Sequence, residues 1–192
     1  DYQEHAQSSN QSIVPKPLSL YIHIPFCKSL CYYCGCNKIV THKSSVAADY
    51  LDYLYQEVGL QGTQFADDRL VQQIHFGGGT PTYLSNVQLR EVLEVIAQSF
   101  HLGLPDSLEL GIEIDPRTVS VDSMTGLLEM GFNRISIGVQ DFDPDVQKAI
   151  NREQSSESIR ALILCARDHH VRSVSLDIIY GLPKQTNASF SN

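Results

Sequence analysis

Four of the chain's five cysteines fall between Cys27 and Cys36, in CKSLCYYCGC, at spacings of four, three and two. Thiols this close together, directly after the apolar run at residues 20–26, point to a metal or cluster site. Structural zinc normally takes two separated pairs of ligands, and no second CxxC or HxxxH supplies the other pair. Four ligands packed this tightly around one ion would strain the loop. If Cys27, Cys31 and Cys34 alone bind, a cubane [4Fe–4S] cluster is held at three irons and the fourth is left for an outside ligand. An open iron is a place for chemistry. Cys165 sits beside Ala166 in a helical pattern and reads as an ordinary buried thiol.

The surrounding pattern alternates strand and helix. Strands are expected at 19–26, 71–76, 108–115, 134–140 and 173–180. Helices are expected at about 46–60, from Ser85, from about Val121 to just before Gly131, and at 156–168. Ser85 with Gln88 forms a capping-box pattern, and Asp143-Pro144 is a helix start signal. Repeated βα units imply a parallel sheet with helices outside, curling toward a barrel. Residues 1–17 are rich in Ser, Gln and Asn and are expected to be disordered or a remnant, with the folded domain spanning 18–192.

Covered parallel strands usually read as continuous apolar runs, but these alternate. Leu110, Ile112 and Ile114 face one way, and Glu109, Gly111, Glu113 and Asp115 the other. Tyr21 and His23 lie opposite Ile22 and Ile24; Ser136, Gly138 and Gln140 opposite Ile137 and Val139; Asp177 opposite Leu176 and Ile178. The lumen is therefore polar and lightly filled, which suits a large ligand. Gly77-Gly78-Gly79-Thr80-Pro81 closes the second strand, where glycines let backbone approach a ligand.

Composition narrows the partners. A net charge of -8, with no basic run, argues against nucleic acid and favours small molecules. No run approaches the roughly 20 apolar residues that span a bilayer, and clustered reactive thiols suit the reducing cytoplasm.

The loop after YIHIPF resembles the cluster loop of radical S-adenosylmethionine enzymes. Together with HFGGGTPTYL, EIDPR, GVQDF, NREQ and DIIYGLPKQT, the CYYCGCNK stretch is similar to the oxygen-independent coproporphyrinogen III oxidases. Haem-chaperone relatives have CxxxCxxCxF, so Cys36 favours the oxidase. The resemblance implies a TIM-like (β/α)6 barrel, with about five βα units present and the chain truncated before the sixth strand and a C-terminal domain. It implies that Cys27, Cys31 and Cys34 are the ligands and Cys36 is not. Tyr21, Tyr33, Gly78 and Glu113 would contact a first S-adenosylmethionine; Gly79, Thr80, Gln140, Arg152 and Asp177 would contact a second. The implied reaction converts coproporphyrinogen III to protoporphyrinogen IX in haem biosynthesis. It proceeds by reductive cleavage of the cofactor, hydrogen abstraction from a propionate and loss of carbon dioxide, with an electron donor as partner. Taken alone, the chain is expected to be inactive in this reaction. The rival readings are a haem chaperone on the same scaffold and a zinc-stabilised interaction module.

Overall fold

The alternating runs become the long strands of one parallel sheet in the computed structural model, which describes residues 1–191. In chain order the elements are α1 (Tyr2–Ser9), β1 (Leu18–Ile24), β2 (Phe26–Cys27), β3 (Ile39–Val40), α2 (Ser44–Gly62), β4 (Leu70–Gly78), a 3-10 turn at Pro81–Tyr83, α3 (Asn86–Ser99) and β5 (His101–Leu102). Then follow β6 (Glu109–Ile114), α4 (Val121–Glu129), β7 (Arg134–Gln140), α5 (Pro144–Ala149), α6 (Ser156–Asp168), β8 (Ser173–Ile178) and α7 (Asn187–Ser191). The sheet order is β1-β4-β6-β7-β8, with β5 pairing the start of β4. Spatial order follows chain order, so each crossover steps the same way, as in a barrel wall. The fold is therefore the α/β, partial-barrel arrangement expected, with five long parallel strands.

Side-chain period fixes the register. Ile22 pairs with Phe76, Phe76 with Ile112, and Ile112 with Ile135, so one face carries a continuous apolar row. His75 pairs with Gly111, Glu113 with Ser136, and Ser136 with Ser175 on the other face. A slip of one residue would exchange the two faces. The apolar face packs under α2, α3, α4 and α6 through Leu51, Leu54 and Val58, through Leu89, Val92 and Ile96, through Met124 and Leu127, and through Ile159 and Leu162. Burying side chains of this size contributes about 1.5–3 kcal/mol each, which leaves the polar face free for other work.

The local signals hold where they were strongest. Ser85 Oγ accepts from Gln88 N while Gln88 Oε1 accepts from Ser85 N, the reciprocal pattern expected of a capping box. The Asp143 carboxylate accepts from Asp145 N and Val146 N, with Pro144 at the first helical position. Three expectations change. β4 runs to Gly78, so the first glycines belong to the strand, and β8 ends at Ile178 rather than residue 180. Residues 2–9, expected to lack structure, form α1. Asp1 caps this helix, Asn10 Nδ2 donates to Gln64 O at 2.9 Å, and Arg69 donates to Ser9 Oγ at 2.8 Å and to Lys16 O at 2.6 Å. Composition alone misses a polar helix held by hydrogen bonds rather than by apolar burial.

Candidate functional site

The cysteine loop is closed at its base by a two-residue parallel ladder. Phe26 and Cys27 of β2 pair with Ile39 and Val40 of β3, and Thr41 N donates to Cys27 O at 3.0 Å. Further contacts pin the loop to the end of α5 and brace it internally. Tyr32 N donates to Ile150 O at 3.0 Å, Asn151 Nδ2 to Leu30 O at 2.7 Å, and Lys38 Nζ to Cys34 O at 2.8 Å. Gly79 N reaches Ile24 O at 2.8 Å, joining the loop's entry to the end of β4.

Cys27, Cys31, Cys34 and Cys36 all line one cavity of about 270 Å³. Cys27 and Cys31 are buried, Cys34 is half-buried and Cys36 is exposed. The same cavity is lined by Tyr33, Gly78, Gly79, Thr80, Glu113, Gln140, Arg152 and Asp177, so the structure brings together every site residue read from the sequence except Tyr21. Tyr21 stands beside it. A Cβ built on Gly77 would meet both Glu113 Oε1, at 2.8 Å, and the Tyr21 ring, at 2.9 Å.

Gly78 has φ +116, a backbone that side-chain-bearing residues rarely adopt, and a Cβ there would meet the His23 ring at 2.8 Å. A Cβ on Gly79 would meet Phe26 O and the Pro25 carbonyl carbon at 2.9 Å, and Cys27 Sγ at 3.1 Å. The glycine run thus lets β4 lie against the cysteine loop.

The thiols differ in their surroundings. Burial pushes the Cys27 thiol up, partly offset by the Thr80 hydroxyl 3.4 Å from its sulfur. Burial also acts to raise Cys34, but hydrogen bonds from Cys36 and the nearby Lys38 ammonium outweigh it and hold Cys34 below the usual thiol range. Burial first, then its contact with Cys34, raises Cys36. Cys31 Sγ accepts from Arg117 Nη2 at 3.4 Å and lies 3.5 Å from Arg152 Nη1.

Behind the sulfurs lies an ionic triad. Asp115 Oδ2 accepts from Arg117 Nη2 at 2.7 Å and from Arg152 Nη1 at 3.1 Å. Burial acts to raise Asp115, yet the two guanidiniums keep its carboxyl below the ordinary range. Arg152 Nη2 donates to Gly138 O at 2.7 Å, while its Nε is buried without a partner among the described residues. Elsewhere on the rim, Glu113 Oε1 lies 3.2 Å from His75 Nε2, Asp177 accepts from Ser136 Oγ at 2.9 Å, and Gln140 takes φ 69. Sequence reasoning missed Arg117. EIDPR marked its neighbourhood and alternation put Asp115 on the lumen face, but nothing in the spacing announced a reach to Cys31, 86 positions away.

This parallel sheet, with a thiol-bearing loop at the rim where its strands end, is a barrel-wall domain built to hold a cluster. The Radical SAM superfamily matches residues 21–192, and the chain belongs to it. Its similarity narrows further. The chain is 50% identical over 175 residues to the oxygen-independent coproporphyrinogen III oxidase of Pseudomonas aeruginosa, covering 91% of this chain and 38% of that protein. It is 51% identical over 176 residues to the enzyme of the same name from Salmonella typhimurium, covering 92% and 38%. The solved structure of coproporphyrinogen III oxidase from Escherichia coli superposes with a TM-score of 0.91 at 46% identity, covering 98% of this chain and 43% of that one. The chain therefore spans well under half the length of these relatives. A radical S-adenosylmethionine methyltransferase from Kitasatospora setae, at a TM-score of 0.55 and 15% identity, shares the fold.

The family's cofactors are a [4Fe–4S] cluster and S-adenosylmethionine, and the residues present fit them. Among the described residues no three His, Cys, Asp or Glu side chains converge as ligands of a single ion. A cubane takes one thiolate per iron, so its ligands must share a cavity rather than a point, as these do.

Proposed function

We propose that this chain forms the cluster- and cofactor-binding domain of an oxygen-independent coproporphyrinogen III oxidase, which oxidatively decarboxylates coproporphyrinogen III to protoporphyrinogen IX. The observation that carries this reading is the single cavity in which three cysteines of one loop, the glycine end of β4 and Glu113 meet. About 50% identity to enzymes of that name supports the choice of substrate.

In this reading Cys27, Cys31 and Cys34 hold the cluster, and Cys36 stays outside the ligand set. A cluster held there would supply the electron for reductive cleavage of S-adenosylmethionine. The protein's own task is placement and exclusion of water. Gly78 would present backbone to the methionine part of a first cofactor, and Glu113, which His75 contacts, would pair with its amine, with Tyr21 and Tyr33 beside it. Gly79, Thr80, Gln140, Arg152 and Asp177, which line the same cavity, would take a second cofactor. The partners are a small tetrapyrrole and an electron donor in the cytoplasm, with no nucleic acid. Among the described residues no helix is long and apolar enough to cross a membrane.

Anaerobic turnover of coproporphyrinogen III tests the reading, in a protein spanning the full length of the relatives. Protoporphyrinogen IX should form with S-adenosylmethionine and a reductant, and Cys31→Ser should abolish it. Stable retention of haem with no decarboxylation would refute it.

A further inference from the structure

Cys31 differs from its neighbours in what touches its sulfur. Cys27 Sγ has the neutral Thr80 hydroxyl, and Cys34 has a single cation, the Lys38 ammonium, which acts on its thiol and also donates to its carbonyl oxygen. Cys31 alone has two guanidiniums against it, those of Arg117 and Arg152. Arg117 is aimed there by its other bonds. Its Nε donates to Asp115 Oδ1 at 3.0 Å and its Nη2 to Oδ2 at 2.7 Å, while its Nη1 lies 3.4 Å from Asn151 O. With the carboxylate gripping one edge of the fork, an N–H of Nη2 remains to meet the sulfur. A lysine ammonium could not satisfy both partners in this geometry. Counting charges, two guanidiniums and one carboxylate leave one positive charge beside the thiolate. The Arg117 and Asp115 side chains are only 22% and 9% exposed, so that charge is weakly screened.

We propose that Arg117 is a positioning residue that donates a charged N–H···S hydrogen bond to Cys31 and thereby raises the reduction potential of the cluster. The inference rests on the reading of Cys27, Cys31 and Cys34 as cluster ligands. Reduction adds one negative charge to the cluster and its thiolates, so a fixed cation and a donor on one sulfur favour the reduced state. Hydrogen bonds to the sulfurs and local burial are established controls of such potentials. Arg117 thus acts through Cys31, without touching the substrate.

The test is a redox titration of anaerobically reconstituted protein, with dithionite as reductant, following the reduced cluster by electron paramagnetic resonance. Iron and sulfide are analysed on the same samples. Arg117→Gln should keep its cluster and become harder to reduce by a factor of about ten or more, and tenfold corresponds to 59 mV for one electron. Arg117→Lys should shift in the same direction by less. Arg69→Gln is the control for general destabilisation, because Arg69 is buried but bonds Ser9, Asn10 and Lys16 near the opposite end of β4. Its potential should match wild type. If Arg117→Gln fails to load, Arg117→Lys decides: a negative shift supports the proposal, and none overturns it. An unchanged potential in a loaded Arg117→Gln, or an equal shift in Arg69→Gln, overturns the proposal while leaving the cluster assignment standing. Wild-type protein that takes up no iron and sulfide overturns both.

Discussion

Arg152 Nη1 reaches Asp115 Oδ2 at 3.1 Å, joining two residues 37 positions apart behind the cysteine loop. Both side chains are below 10% exposure, and Arg117 completes the group. Breaking such a pair costs more than forming it contributes, because the remaining charges stay buried without compensation. Asp115→Ala should destabilise the fold by about 3–5 kcal/mol, read as a lower urea midpoint. A loss of under about 1 kcal/mol would mean that water already compensates the two arginines.

The same carboxylate sets an acid limit. Its folded pKa lies below the unfolded value of about 3.9, so its contribution is fully present above that value and is lost as pH falls through the folded one. Stability followed by denaturant titration should therefore fall below about pH 4. Asp115→Asn, less stable at neutral pH, should show a flatter profile there. Parallel profiles for the two proteins would assign the acid loss to other groups.

Gly79→Ala should push directly on the cysteine loop. The added methyl meets backbone of Pro25 and Phe26 as well as Cys27 Sγ, and backbone cannot step aside as a flexible side chain can. Overpacking of this kind costs about 1–3 kcal/mol. Thermal unfolding should show it, together with reduced iron uptake on reconstitution. A variant of wild-type stability and full iron content would show that the loop tolerates the displacement.

Glu113→Ala should separate binding from folding. Its side chain is 43% exposed and lines the cavity rather than the core, so stability should change by no more than about 0.5 kcal/mol. Affinity for S-adenosylmethionine, measured calorimetrically on the reconstituted protein, should fall. Unchanged affinity with a large stability loss would make Glu113 a structural residue.

Much of this was legible because two periods are written into the chain. The two-residue alternation along β6 and β7 gave both the apolar face and the polar lumen, and the run 134–140 emerged with its bounds intact. Caps with a local mechanism, at Ser85 and Asp143, were equally readable. What was not legible depends on long reach. The bonds from Arg117 and Arg152 to Cys31 join residues 86 and 121 positions apart, and α1 is held by Arg69, 60 positions from Ser9. Such contacts follow from how the strands stack, not from any local pattern. Spacing also left open which of the four clustered thiols bind, since all four line the cavity.

That last question is the most direct test of the whole account. Single cysteine-to-serine variants should be reconstituted anaerobically and analysed for iron, sulfide and the visible absorption of a [4Fe–4S] cluster. Cys27→Ser, Cys31→Ser and Cys34→Ser should each lose the cluster, whereas Cys36→Ser should keep iron and sulfide near the wild-type level. Loss in Cys36→Ser as complete as in Cys31→Ser would contradict the three-thiol site.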